Sequence, residues 1–87
     1  MSRRLTWGRR ALADLDVIAR QDRRQAVRIR DAVARYAAVD RGDVRKMAGG
    51  SGLYRLRVGD WRILFTLDDG GRTVAVSRVL NRRDAYR

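Results

Sequence analysis

Residues 53–65 read Leu53-Tyr-Arg-Leu-Arg-Val-Gly-Asp-Trp-Arg-Ile-Leu-Phe65, and this stretch decides the fold. Apolar residues alternate with other residues on both sides of the Gly-Asp pair, which is the pattern of a two-stranded β-hairpin. Successive side chains of a strand point to opposite faces of a sheet. The alternation therefore predicts one apolar face and one open face, and the open face carries Arg55, Arg57 and Arg62.

The residues before this hairpin predict what covers its apolar face. Residues 5–7 predict a short strand, and two stripes of apolar residues at helical spacing follow it. Asp22 lies between the stripes and is a typical N-cap residue for the second helix. The stripes are Ala11, Leu12, Leu15, Ile18 and Ala19, and then Ala26, Ile29, Val33, Tyr36 and Ala37.

The residues around the hairpin complete the expected topology. Arg41-Gly-Asp43 interrupts the helical pattern, Asp68-Asp-Gly-Gly71 predicts a turn, and residues 73–80 predict the last strand. The expected fold class is α+β in the order β-α-α-β-β-β. A helical hairpin packs on one face of a small antiparallel sheet. A chain of this length is expected to form a single domain, residues 1–87.

The charge of the chain predicts a polyanionic partner. Lys and Arg number 21 against 10 acidic residues, the net charge is +11, and the pI is about 11.6. Nucleic acid, an anionic membrane or an acidic protein would each fit, and composition alone does not choose among them. Every basic residue except Lys46 is arginine, whose planar fork binds phosphate in a bidentate way. Arginines on a strand are also typical of an ordinary solvated face.

The absence of His and Cys narrows the possible chemistry. The chain has no imidazole base, no thiol nucleophile and no usual zinc ligand, and its Asp residues show no recognisable ligand spacing. We therefore expect no metal and no cofactor.

No apolar run reaches the roughly 18 residues of a membrane span, and the lack of disulfides fits a reducing compartment. The expectation is a soluble, cytoplasmic protein without a membrane partner.

Three segments carry a family resemblance. They are Leu5-Thr-Trp-Gly-Arg-Arg-Ala-Leu-Ala-Asp-Leu15, residues 53–65, and Asn81-Arg-Arg-Asp-Ala-Tyr-Arg87. Together they resemble the RelE toxins of bacterial toxin-antitoxin pairs, within the RelE/ParE superfamily, over essentially the whole chain. The resemblance implies an mRNA endonuclease that acts in the ribosomal A site and inhibits translation. It also implies a small antitoxin, encoded beside the toxin, that neutralises it in a hetero-oligomeric complex.

The resemblance also implies roles for individual residues. Arg55 and Arg57 match a pair of basic residues, commonly Lys, that faces the scissile phosphate, and Arg62 matches a phosphate-binding Arg on the adjacent strand. Arg82 matches an Arg that assists the leaving oxygen, and Tyr86 matches an aromatic that stacks on an mRNA base. These five are the candidate catalytic residues. The expected RNA-binding residues are Arg55, Arg57, Arg62, Arg78, Arg83 and Tyr86.

Two alternatives to the nuclease remain open. A ParE-like toxin on the same fold is not a nuclease and poisons DNA gyrase. A plain RNA- or ribosome-binding module is the other alternative, because Arg is a poorer proton acceptor than Lys and Asn81 stands where many relatives have His. The basic pair on the first strand of the hairpin, with the terminal Arg82 and Tyr86, favours the nuclease.

Overall fold

The computed structural model describes residues 2–81, in which two helices pack on one face of a five-stranded sheet. The chain order is β-α-α-β-β-β-β, and the strands lie side by side in the order β1-β5-β4-β3-β2. The strands are β1 Arg4–Trp7, β2 Asp43–Lys46, β3 Tyr54–Val58, β4 Trp61–Asp68 and β5 Thr73–Asn81, and the helices are α1 Arg9–Gln21 and α2 Arg23–Val39. The α+β class and the helical hairpin on one face are as predicted.

The sheet differs from the expected one in two ways. A further strand, β2, lies directly after the predicted break and pairs antiparallel with β3. It is short and lies at the edge of the sheet, so its pairing with β3 defines it more than its own residues do. In addition, β1 runs parallel to β5, so the sheet is mixed and not purely antiparallel. Parallel neighbours need a long crossover connection, and the whole stretch from α1 to β4 provides it.

A single residue separates the two helices. Asp22 has extended backbone angles, and its side chain accepts a hydrogen bond of 3.1 Å from the N–H of Arg24, as expected of an N-cap. Its own N–H donates to the carbonyl of Ile18 at 2.7 Å and closes the end of α1. Asp22 therefore ends one helix and begins the next, which forces the chain into a tight hairpin.

The core lies between this hairpin and the sheet. The second predicted stripe is buried over its whole length, whereas Leu12 and Ala19 of the first stripe are exposed, Leu12 by 53%. The reason is that α1 buries only the side formed by Ala11, Leu15 and Ile18, against β5 and α2. The buried apolar residues are Ala11, Leu15, Ile18, Ala26, Ile29, Val33, Tyr36, Ala37, Leu56, Val58, Ile63, Phe65, Val74, Val76 and Val79. Together they form one contiguous cluster.

Arg3 joins three parts of the fold. Its guanidinium donates to the carbonyl of Gly71 at 2.9 Å and to the carboxylate of Asp40 at 2.8 Å, and it lies 5.3 Å from the centre of the Tyr36 ring. Burial raises the pKa of the Tyr36 hydroxyl, and the nearby positive charge of Arg3 opposes that shift.

Residues 2–81 contain no helix long and apolar enough to cross a membrane.

Candidate functional site

The face of the sheet opposite the helices carries a cluster of arginines. Strand register places Arg45 of β2 directly opposite Arg55 of β3, and Arg57 of β3 directly opposite Arg62 of β4. Side chains directly opposite each other lie on the same face of the sheet. These four residues, Arg45, Arg55, Arg57 and Arg62, are called the cationic face below.

The pair Arg45–Arg55 places two like charges opposite each other, which is unfavourable for the folded chain. Like charges directly opposite each other on neighbouring strands destabilise a sheet. Within residues 2–81, salt bridges involve other residues and none forms with Arg45, Arg55 or Arg57. An anion bound between these side chains would relieve the repulsion, which makes the cationic face a candidate anion site.

Arg62 is the most deeply placed residue of the cationic face. Its exposed fraction is 5%, and within residues 2–81 it is the one charged residue that is buried. Leu80 of β5 lies directly opposite it on the other side of β4. A buried guanidinium beside apolar residues interacts with a negative charge more strongly than one in water, because the local dielectric constant is lower. Arg62 therefore supplies a fixed positive charge to the floor of the face.

Arg55 presents a second buried donor. Its Nε atom is shielded from solvent and has no hydrogen-bond acceptor among residues 2–81. Buried donors without an acceptor are rare in folded proteins and costly. The position next to Arg45 and close to Arg62 therefore suits an acceptor oxygen supplied by a ligand.

The structure brings some of the predicted residues together and separates others. Arg55, Arg57 and Arg62 share one face as expected, although Arg62 is buried and not on the open surface. Arg78 is held by the carboxylate of Asp14 on α1, with bonds of 2.8 and 3.1 Å. Its charge is therefore compensated within the chain. The other predicted site residues, Arg82, Arg83 and Tyr86, lie outside the described residues.

Sequence reasoning missed Arg45. The residue lies on β2, which the sequence did not reveal as a strand, so its place opposite Arg55 could not be predicted. The only signal was the basic pair Arg45-Lys46 close to the hairpin.

Among residues 2–81, no group of three or more His, Cys, Asp or Glu side chains is arranged to hold a metal ion.

Comparison with known proteins gives a family match. A family model described as the ParE toxin of the type II toxin-antitoxin system parDE matches residues 5–86. No curated protein shows a significant match to the chain.

Several solved structures share the fold. The YoeB/ParE toxin from Agrobacterium tumefaciens has a TM-score of 0.74 at 18% identity, over 90% of this chain and 96% of that chain. The toxin-antitoxin complex RelBE2 from Mycobacterium tuberculosis has a TM-score of 0.69 at 24% identity, over 94% and 93%. The RelB-RelE antitoxin-toxin complex from Methanococcus jannaschii has a TM-score of 0.65 at 24% identity, over 93% and 94%.

Proposed function

We propose that this chain is an mRNA endonuclease. The premise is its family: the chain belongs to the ParE toxin family of type II toxin-antitoxin systems, within the RelE/ParE superfamily. In this proposal the toxin cleaves mRNA on the ribosome, inhibits translation and acts in the cytoplasm. Its partners are the ribosome with its mRNA, and a cognate antitoxin that holds it in a hetero-oligomeric complex.

The single observation that supports RNA as the substrate is the cationic face. The pairs Arg45–Arg55 and Arg57–Arg62 place four positive charges side by side, and Arg62 is 5% exposed. A phosphodiester has two free oxygens that can accept both bonds of a planar, bidentate donor. RNA also brings its own nucleophile, the 2′-OH, so the protein needs neither Ser nor Cys to attack the phosphorus.

In this mechanism the 2′-OH loses its proton and attacks the adjacent phosphate in line, the bond from phosphorus to the 5′-oxygen of the next nucleotide breaks, and that oxygen takes up a proton and leaves as a hydroxyl. Negative charge grows on the phosphoryl oxygens in the transition state. Arg55, Arg57 and Arg62 stabilise that charge. Loss of one preorganised donor to a developing oxyanion typically costs about 100- to 1000-fold in rate. Because the donors are fixed on strands, they require little reorganisation as the charge develops.

Proton transfer is the weaker part of the site. An arginine side chain keeps its proton at neutral pH, so it is a poor proton acceptor. General acid-base catalysis typically contributes about 100- to 10,000-fold in other enzymes. We propose that orientation of the mRNA by the ribosome substitutes for part of it, since alignment alone can lower a barrier by about 7–11 kcal/mol. Arg82 would assist the leaving oxygen, and Tyr86 would stack on a base of the mRNA.

A ParE-like toxin that poisons DNA gyrase is the second candidate. The matching family model, which is described as ParE, favours it. The two cross-strand arginine pairs favour the nuclease, because a cluster of guanidinium groups on one face suits the phosphates of an RNA substrate.

Two assays on one preparation decide between these functions. RNA 5′ ends are mapped after brief induction of the toxin, and the purified toxin is added to gyrase in a supercoiling assay. The nuclease predicts new 5′ ends inside translated mRNAs and unchanged supercoiling. Inhibited supercoiling without new 5′ ends would replace the nuclease with the gyrase poison.

A further inference from the structure

A second cationic surface lies beside the cationic face, along α2. A groove of about 1120 Å³ runs between α2 and the end of β3. Its rim carries Arg24, Arg28, Arg35, Arg41 and Arg57, against one acidic residue, Asp31. We call it the α2 groove.

The arginines of this rim are available to a partner. Within residues 2–81, Arg24, Arg28, Arg35 and Arg41 form no salt bridge. Arg24 and Arg28 lie about one helical turn apart, near 6 Å along the axis, and Arg35 follows two turns later. Like charges at this spacing on one helix destabilise it slightly. The chain therefore carries an unfavourable row of charges that its own fold does not use.

Arg28 lies against the turn between β3 and β4. A Cβ atom added at Gly59, in this turn, would lie 2.9 Å from Nη1 of Arg28. The absence of a side chain at Gly59 therefore lets the guanidinium reach the end of the groove.

The rest of the α2 groove is apolar. Val27 and Val39 line it and are 47% and 55% exposed, and the buried Leu56 and Val58 lie beneath them. None of the residues that line the groove is aromatic. Proteins that bind single-stranded RNA use aromatic side chains on which bases stack. A basic rim around aliphatic residues suits an amphipathic segment with acidic side chains instead.

A second copy of this chain would be a poor occupant. It carries the same net charge of +11, and like charges facing each other across an interface are strongly unfavourable. The charge complementarity points to an acidic protein segment.

We propose that the α2 groove is the docking site for an acidic amphipathic segment of the antitoxin. Its apolar side chains cover Val27 and Val39, and its carboxylates face Arg24, Arg28 and Arg35. Arg57 lines the α2 groove and also belongs to the cationic face, so the docked segment reaches the edge of the cationic face. This proposal rests on the toxin-antitoxin pairing proposed above and not on RNA cleavage.

The test asks whether the toxin can escape its antitoxin and remain toxic. The double variant Arg28→Gln/Arg35→Gln and the single variant Val27→Asp alter the α2 groove. The matched control, Arg23→Gln/Arg30→Gln, removes two exposed charges from the same helix, at positions that do not line the groove. Each variant is expressed alone and together with the product of the adjacent antitoxin gene. Titration calorimetry then measures the dissociation constant of each purified pair.

We expect both groove variants to inhibit growth when expressed alone and to escape the antitoxin, with a dissociation constant raised about ten- to a hundredfold. The control pair should remain neutralised. Neutralisation of both groove variants at wild-type affinity would overturn the proposal, as would escape of the control pair. Unchanged antitoxin affinity together with weakened binding of a single-stranded RNA oligonucleotide would assign the groove to RNA. If the toxin proves to poison gyrase, the RNA chemistry fails, but the neutralisation assay still tests the groove.

Discussion

Asp14 on α1 holds Arg78 on β5 through two hydrogen bonds, 2.8 Å from Nε and 3.1 Å from Nη2. The same carboxylate accepts a third bond of 2.8 Å from the backbone N–H of Val79. β1 pairs with β5 only as far as Val76, so Asp14 satisfies a donor of β5 beyond the end of its partner strand. The carboxylate of Asp14 thus accepts a hydrogen bond from β5 at a position that β1 does not reach.

The first prediction concerns this link. Asp14→Asn removes the negative charge and should lower the free energy of unfolding by about 1 kcal/mol, because charge-assisted bonds are lost at a partly exposed site. Urea denaturation of the variant measures the change, and Asp16→Asn, whose ion pair with Arg20 is exposed, is the control. Equal stability of the Asp14 variant and the wild type would show that the link contributes nothing.

The second prediction concerns binding of RNA. Arg62→Ala should weaken binding to ribosomes or RNA and should reduce the slope of log affinity against log salt by about one unit, since one phosphate contact is lost. Fluorescence anisotropy over a salt series measures both quantities. The control is Arg72→Ala, which removes an exposed arginine in the turn before β5. It should leave the slope unchanged, because Arg72 does not belong to the cationic face. An affinity that does not depend on salt would contradict phosphate binding by the cationic face.

The third prediction separates proton transfer from phosphate binding. Lys gives up its proton more readily than Arg, whereas only Arg offers a bidentate fork. If Arg55 handles a proton, Arg55→Lys should retain or raise the rate of mRNA cleavage in a ribosome assay. We expect a lower rate, approaching the roughly 100-fold loss typical of a removed oxyanion donor, because the proposed mechanism assigns Arg55 to phosphate binding. A retained or raised rate would show that Arg55 handles a proton.

The fourth prediction concerns the end of the chain. Arg82→Ala and Tyr86→Ala should each abolish cleavage and toxicity and leave the melting temperature unchanged, since both residues lie outside the apolar sets assigned to the core. Thermal melting and the ribosome cleavage assay are run on the same samples. A large drop in melting temperature for Tyr86→Ala would make that residue structural, and cleavage at the wild-type rate would remove its stacking role.

The fifth prediction is a pH dependence of stability. Burial raises the pKa of Tyr36 above its ordinary value of 10.0, so the folded protein holds this proton more tightly than the unfolded chain. The stability that protonated Tyr36 gives the folded state is fully present below pH 10.0 and is lost as the pH rises through the higher pKa of the folded state. Urea denaturation at about pH 8 and about pH 11 should show a smaller decline for Tyr36→Phe than for the wild type. Equal declines would remove Tyr36 as the cause.

The helical hairpin could be predicted because its signals are local. The stripe from Ala26 to Ala37 and the cap at Asp22 both depend on residues within a few positions of each other, and the structure confirms both. The open face of the hairpin could be predicted for the same reason, since the alternation of Arg55 and Arg57 fixes their common side.

Non-local pairings could not be predicted. Asp43–Lys46 becomes a strand through its pairing with β3, and Arg45 gains a partner in Arg55 only through that register. The turn at residues 68–71 predicts that β5 lies beside β4, but how deeply the neighbouring strands bury Arg62 depends on side-chain packing that the local sequence does not reveal. The exposure of Leu12 likewise depends on how α1 meets the sheet. Long-range geometry, and not local propensity, decided each of these features.

The parallel pairing of β1 with β5 has a consequence for how the protein is made. Arg4 pairs with Thr73, so β1 meets its neighbour only after both helices and the three intervening strands have been synthesised. Contacts between residues far apart in sequence slow folding, because a long loop must close before they form. During synthesis β1 therefore waits without a partner while the helices form. Completion of the sheet consequently waits until β5 has been synthesised, although β1 and both helices precede it in the chain.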